Sequence, residues 1–181
     1  MDEFWVFGYG SLMWNPGFAF EERVQARLTG YRRSLCVRSW VHRGTEARPG
    51  LVLGLDRGGS CRGIAFRVDP TLWPDTLAYL RERELVTNVY LERSVRLRFD
   101  DGRQVTGLTY VVDRAHPQYG GAVTVEEAAQ IVAGAVGQSG PNPTYVANTA
   151  AHLREMGIRD HWLEGVVAAI AAIGQPDLQA N

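Results

Sequence analysis

Three segments of this 181-residue chain gather residue types that can do chemistry. In the first, Gly8-Tyr9-Gly10-Ser11-Leu12, small residues follow a short apolar run. Successive backbone N–H groups can converge there on an anion with no side chain in the way, which suits a carboxylate. Taken alone, the segment reads sooner as an ordinary glycine turn. It lacks the third glycine of a dinucleotide fingerprint, because Met13 stands in that place. The G-x-S-x-G pattern of a nucleophile elbow is not met either.

The second segment, Leu80-Arg81-Glu82-Arg83-Glu84-Leu85, lies near the end of a predicted helix. Residues two apart on a helix point about 200 degrees from each other, so only one of Glu82 and Glu84 can face a cleft. Helical spacing leaves that choice open, and a solvated charged helix end is the plainer reading. The third segment, Ser39-Trp40-Val41-His42-Arg43-Gly44, ends a strand with side chains that could line the site of an acidic ligand or form a surface loop. His42, His116, His152 and His161 show no ligand-pair spacing with cysteines or carboxylates, so no metal site is expected. Met13, Trp14, Trp73 and Trp162 read as core or site-wall residues.

Composition narrows the partner. Lysine plus arginine total 19 against 20 for aspartate plus glutamate, and a net charge of -1 gives no long-range pull on nucleic acid or an acidic membrane. A small-molecule partner is expected. Cys36 and Cys61 lie in apolar, strand-like stretches and read as reduced core residues. The start MDEFWVF has no basic segment followed by a long apolar one, so the cytoplasm is the expected compartment. No stretch approaches the roughly 18 apolar residues of a membrane span.

The elements that must position these segments follow from periodicity and punctuation. Phe4 to Tyr9 is a buried strand, and Arg23 to Thr29 alternates polar and apolar up to Gly30, after which Tyr31 to Trp40 forms another strand. Leu51 to Leu55 and Arg62 to Val68 are predicted to form a hairpin turning at Asp56-Arg57-Gly58-Gly59. A second hairpin joins Ser94 to Phe99 and Gln104 to Val111 through Asp100-Asp101-Gly102. A helix runs from near Leu72 to about Leu85. Three more follow: Val125 to Val136 capped by Thr124, a second from Pro141-Asn142-Pro143 to Met156, and Asp160 to Ile173. Strands first and helices later give an α+β domain with a curved or closed sheet, expected to be single over residues 1–181.

The run Val6-Phe7-Gly8-Tyr9-Gly10-Ser11-Leu12-Met13-Trp14-Asn15-Pro16-Gly17-Phe18 closely resembles the ChaC family of gamma-glutamylcyclotransferases. The likeness continues in order through Ser39, His42-Arg43-Gly44, Pro49-Gly50, Arg62 to Phe66, Arg83-Glu84, Ser139-Gly140-Pro141-Asn142 and Tyr145. It implies a small mixed β-barrel with surrounding helices, and the conversion of glutathione to 5-oxoproline and cysteinylglycine without a cofactor. It also implies Glu84 as the proton-transfer residue and Tyr9, Gly10, Ser11 and Leu12 as the substrate-binding loop. Ser39, His42, Arg43 and Tyr145 are further substrate-site candidates. The chain departs from the family pattern where relatives have glycine and it has Asn88. Asparagine is the residue that best accepts a positive φ in glycine's stead, so the turn is expected to persist. A cyclotransferase for other gamma-glutamyl amines or dipeptides, or a non-catalytic binding module, would use the same fold.

Overall fold

The structure is a computed structural model that describes residues 3–174. The chain divides into two compact units. The first comprises residues 3–34 and 53–119, the second residues 35–52 and 120–174.

Five strands close into a barrel in the order β1-β3-β2-β4-β5. These are β1 (Phe4–Gly8), β2 (Glu22–Ser39), β3 (Gly50–Val68), β4 (Tyr90–Phe99) and β5 (Gln104–Val112). The first strand explains why its sequence is an unbroken apolar run. It pairs antiparallel with β3, from Phe4 opposite Val68 to Gly8 opposite Ile64, and parallel with β5, Trp5 opposite Gly107. With both edges paired and Trp5, Val6 and Phe7 buried, no position is left for a polar side chain. The barrel is therefore mixed, as expected.

Two predicted breaks in the sheet are absent. Gly30 does not end a strand, and Asp56-Arg57-Gly58-Gly59 does not turn a hairpin; β2 and β3 each run straight through. The reason is that Gly30, Gly58 and Gly59 take positive φ inside their strands, at +94°, +100° and +68°. Such residues re-aim a strand as bulges do without ending it. Beside the bend, Asp56 is only 1% exposed along its side chain. Its carboxylate accepts from Arg114 Nε (2.7 Å), Tyr119 Oη (3.1 Å), Arg32 Nη2 (3.2 Å) and its neighbour's amide, Arg57 N (2.8 Å). The hairpin of β4 and β5 agrees with the sequence, from Tyr90 opposite Val112 to Arg98 opposite Gln104.

Helix α1 (Trp73–Glu84) has proline in its first turn and belongs to the first unit. Its Leu80 is buried with Val6, Leu12, Val68 and Tyr110, while Phe4 stacks on Trp73 at 4.8 Å between ring centroids. One hydrophobic cluster thus joins the glycine loop, the helix and β5.

In the second unit α2 (Val125–Ala133), α3 (Asn142–Glu155) and α4 (His161–Ile173) pack on one another. The end of α2 comes at Ala133, earlier than predicted, because Val136–Gly137 leaves the helix to pair as β6 with β7 (Gly140–Pro141). Thr124 and Glu127 form a reciprocal capping box, and Asp160 caps α4 by accepting from Leu163 N. After α3, Gly157 at φ +73° carries a Schellman ending: Gly157 N donates to Arg154 O and Ile158 N to Leu153 O. Asn142, fully buried, bonds both to the amide and to the carbonyl of Leu51 at 2.8 Å. A Cβ on Gly50 would come 2.6 Å from its Oδ1, which excludes any side chain there.

Burial pushes the Asp56 carboxyl up, but the bonds from Arg114, Tyr119 and the Arg57 amide outweigh it and hold it below the ordinary range. Its stabilisation is present above the unfolded value and disappears as pH falls through the folded one. Asp56→Ala is expected to cost about 2–3 kcal/mol, because it leaves its donors without their shared acceptor. Thermal midpoints at neutral pH should fall by roughly 4–10 °C. Midpoints followed towards pH 3 should converge with wild type.

Candidate active site

Which of the paired glutamates turns inward follows from the helix. Leu80 sits in the core cluster, and Glu84 lies one turn further on the same face, at the last residue of α1. Its side chain is 18% exposed, whereas Glu82 faces solvent. Burial pushes the Glu84 carboxyl above the ordinary carboxylate value, and the Arg83 guanidinium, with Nε 3.5 Å from Oε1, pulls the other way without cancelling it. Tyr110 on β5 is buried against the same region. Burial raises its hydroxyl first of all, the Glu92 charge adds to that, and the Glu84 charge contributes further. The hydroxyl donates to Glu92 at 3.1 Å, and Arg81 grips Glu92 with two bonds of 2.8 and 2.9 Å.

The glycine segment becomes a 3-10 turn over Ser11–Met13, closed by Met13 N donating to Gly10 O at 2.9 Å. The amides that open such a turn have no carbonyl behind them within it. Tyr9 and Leu12 are buried, Gly10 is half-buried and Ser11 is exposed. At its base the loop is pinned by Arg33, whose Nε donates to Tyr9 O and whose Nη2 donates to Arg62 O, both at 2.6 Å. At its far end the pin is Arg83. Its Nη2 donates to Ser11 Oγ at 2.9 Å, and its Nη1 to Asn15 O (2.7 Å), Pro16 O (3.3 Å) and Tyr79 Oη (3.0 Å). The guanidinium that touches the loop is thus also the one beside Glu84. Beyond α1, Asn88 takes φ +56°, as its substitution for glycine requires.

Ser39, His42, Arg43 and Tyr145 come together in the second unit. Ser39 is buried, with Oγ accepting from Arg43 N at 2.9 Å. His42 is exposed, its Nδ1 3.0 Å from Ser139 Oγ. The Arg43 guanidinium lies 5.3 Å from the Tyr145 ring centroid and donates to Pro141 O. These contacts account for the Ser139-Gly140-Pro141-Asn142 motif, since the β6–β7 ribbon brings Ser139 and Pro141 to His42 and Arg43.

Sequence reasoning gave Arg83 no role, although the family likeness runs through Arg83-Glu84, and it passed over Tyr79 and Tyr110. Arg83 reads as a solvated arginine in a charged helix end, and only the fold brings Ser11 to it. A hollow of about 250 Å³ lined by Gly17, Phe18, Ala19, Leu72, Asp75, Thr76 and Tyr79 shares Tyr79 with this group but includes neither Glu84 nor the Tyr9 to Leu12 loop.

Because burial raises the Glu84 carboxyl, the folded state binds its proton more tightly than the unfolded chain does. Stability therefore falls as pH climbs from the ordinary carboxylate range through the raised value. Glu84→Gln removes that dependence. Urea midpoints should be equal or higher in the variant at neutral pH, with a gap that narrows on acidification. A variant less stable than wild type at neutral pH would contradict the burial cost.

A family model described as ChaC-like protein matches residues 4–173. The glutathione-specific gamma-glutamylcyclotransferase of Escherichia coli is 35% identical over 166 residues, covering 92% of this chain and 72% of that protein. Glutathione-specific gamma-glutamylcyclotransferase 1 of Danio rerio is 34% identical over 182 residues, covering 97% of this chain and 93% of its own length. Among solved structures, the yeast gamma-glutamyl cyclotransferase specific to glutathione superposes with a TM-score of 0.82 at 22% identity. It covers 95% of this chain and 97% of its own, and shares the fold. With a match that spans nearly its whole length and relatives at this level of identity, the chain belongs to the ChaC-like family.

Proposed function

We propose that the protein is a glutathione-specific gamma-glutamylcyclotransferase that converts glutathione to 5-oxoproline and cysteinylglycine, with Glu84 as its proton-transfer residue. The observation that carries this reading is the Glu84 carboxyl, half-buried, raised in pKa and linked through Arg83 to the glycine loop. The names of the curated relatives supply the substrate.

The reaction needs no enzyme nucleophile. The substrate's α-amine attacks its own γ-carbonyl carbon, a C–N bond forms, and the bond to the cysteinyl nitrogen breaks. Over the cycle the α-nitrogen passes from ammonium to lactam N–H and loses two protons. The leaving nitrogen passes from amide to ammonium and gains two. One carboxylate that accepts and returns protons in turn balances both, and a pKa raised towards the working pH suits it to each direction. The amides at the start of the Ser11–Met13 turn hold the α-carboxylate and face the oxygen that becomes negative during attack. Bending the glutamyl unit so that amine and carbonyl meet supplies much of the rate, since an intramolecular reaction gains heavily from orientation.

Ser39, His42, Arg43 and Tyr145 are further substrate-site candidates. Their support is the family motif and their gathering into one polar cluster. The site of action is the cytoplasm, consistent with two buried thiols, Cys36 and Cys61, and with a substrate that reaches high concentration there.

Purified protein incubated with glutathione should release 5-oxoproline and cysteinylglycine in equal amounts by mass spectrometry. Glu84→Gln should still bind glutathione but lose about 10² to 10⁴ in kcat. Near-normal turnover in that variant would refute the assignment. Other gamma-glutamyl dipeptides run in parallel should turn over more slowly; equal rates would broaden the substrate class.

A further inference from the structure

Arg83 has more to do than a surface arginine. Its side chain is 21% exposed, and its guanidinium spans two pieces of chain 67 to 72 residues apart in sequence. Nη2 donates to Ser11 Oγ and Nη1 to the carbonyls of Asn15 and Pro16, so the glycine turn and the segment after it hang on one planar fork. Tyr79, one helical turn before Arg83, offers its hydroxyl to Nη1 at 3.0 Å and keeps the fork in plane. On its other side the fork stands beside the Glu84 carboxyl.

We propose that Arg83 is a positioning residue of the reaction, one guanidinium that fixes the Ser11 to Pro16 segment and the Glu84 carboxylate at a set separation. The inference rests on Glu84 being the proton-transfer group. Its physical basis is the geometry of arginine. A planar fork can satisfy several acceptors at fixed angles, whereas a lysine ammonium brings the charge without the fork.

Charge and geometry can therefore be separated. The groups that interact with the Glu84 carboxyl are Arg83 on its own helix and Tyr110 on β5, and the Tyr110 hydroxyl is in turn bonded to Glu92 on β4, which Arg81 grips. Of these Arg83 is the cation that lowers the carboxyl against the effect of burial. Removing its charge raises the Glu84 pKa further. The rising limb of kcat/KM against pH, which requires ionised Glu84, then moves to higher pH.

The test measures kcat and KM for glutathione across pH in wild type, Arg83→Lys, Arg83→Met, Ser11→Ala and Glu84→Gln, with thermal midpoints for each. Arg83→Met should lose about tenfold to a hundredfold in kcat/KM and shift the limb upward. Arg83→Lys should raise KM but leave the limb in place, because charge is kept and the fork is lost. Ser11→Ala removes the Nη2 acceptor within the proposed substrate loop, so it is read together with Arg83→Lys. If the two act through one contact, the double variant should raise KM no further than the worse single variant, whereas additive effects would count against the proposal; this keeps it testable if Arg83→Met fails to fold. Wild-type kcat/KM and an unmoved limb in Arg83→Met would overturn it, as would a loss in Arg83→Lys and Ser11→Ala fully explained by lower folded fraction. If Glu84→Gln turns over glutathione normally, the parent reading has failed. If Glu84→Gln is inactive while the Arg83 variants match wild type, only the positioning role has.

Discussion

The proposed chemistry turns on one physical constraint, a carboxyl group partly dehydrated yet still able to ionise. Burial alone drives an acid towards permanent protonation, and a neighbouring cation alone drives it towards permanent charge. Glu84 sits between these limits because both act on it, with burial the larger effect. Neither would hold without the register of α1. Leu80 anchors the helix in the cluster with Leu12 and Tyr110, and the next turn on that face delivers residue 84. Residue 83, about 100 degrees further round, is left facing the glycine turn.

Much of this was legible in the sequence, and the parts that were not share a cause. The apolar run of β1, the hairpin of β4 and β5, the extent of α1, and the caps Thr124 and Asp160 rest on local rules, and the structure agrees with them. The strand break expected at Gly30 and the hairpin turn expected at Gly58-Gly59 are both absent because glycine punctuates a chain in more than one way. A positive φ can reverse a strand or merely bend it, and the outcome here depends on strands distant in sequence. Arg32 and Arg114 reach Asp56 from positions 24 and 58 residues away. The choice between Glu82 and Glu84 was likewise beyond periodicity. It needed knowledge of which helix face meets the core, and the family resemblance supplied that choice where spacing could not.

Each unit uses a buried polar side chain to fix a backbone that hydrophobic contacts would leave loosely specified. In the first, Asp56 collects donors from Arg32, Arg114 and Tyr119 where β3 bends. In the second, Asn142 repeats the hydrogen bonds of a strand neighbour by pairing with both groups of Leu51. Among the described residues no buried side-chain nitrogen or oxygen lacks a partner. Full satisfaction matters because a buried polar group that is only partly paired destabilises the fold it should specify. The family motif around Gly50 and Asn142 follows from this packing, since the amide oxygen of Asn142 occupies the space a side chain at position 50 would need.

An intramolecular cyclisation makes a particular demand on such a scaffold. With the attacking amine and the attacked carbonyl in one substrate, the protein supplies no bond-forming atom, so its contribution is orientation and the timing of protons. Orientation is sensitive to small displacements, and a misplacement of about 1 Å can cost roughly a hundredfold in rate. A short glycine turn is a poor rigid body by itself, because glycine gives the backbone freedom where precision is required. The loop here is not left to itself. Arg33 fixes Tyr9 at one end, Arg83 fixes Ser11, Asn15 and Pro16 at the other, and Leu12 is buried between them. If the loop's amides take the substrate's carboxylate as proposed, small residues give them that access, and the two arginines remove the freedom those small residues would otherwise bring.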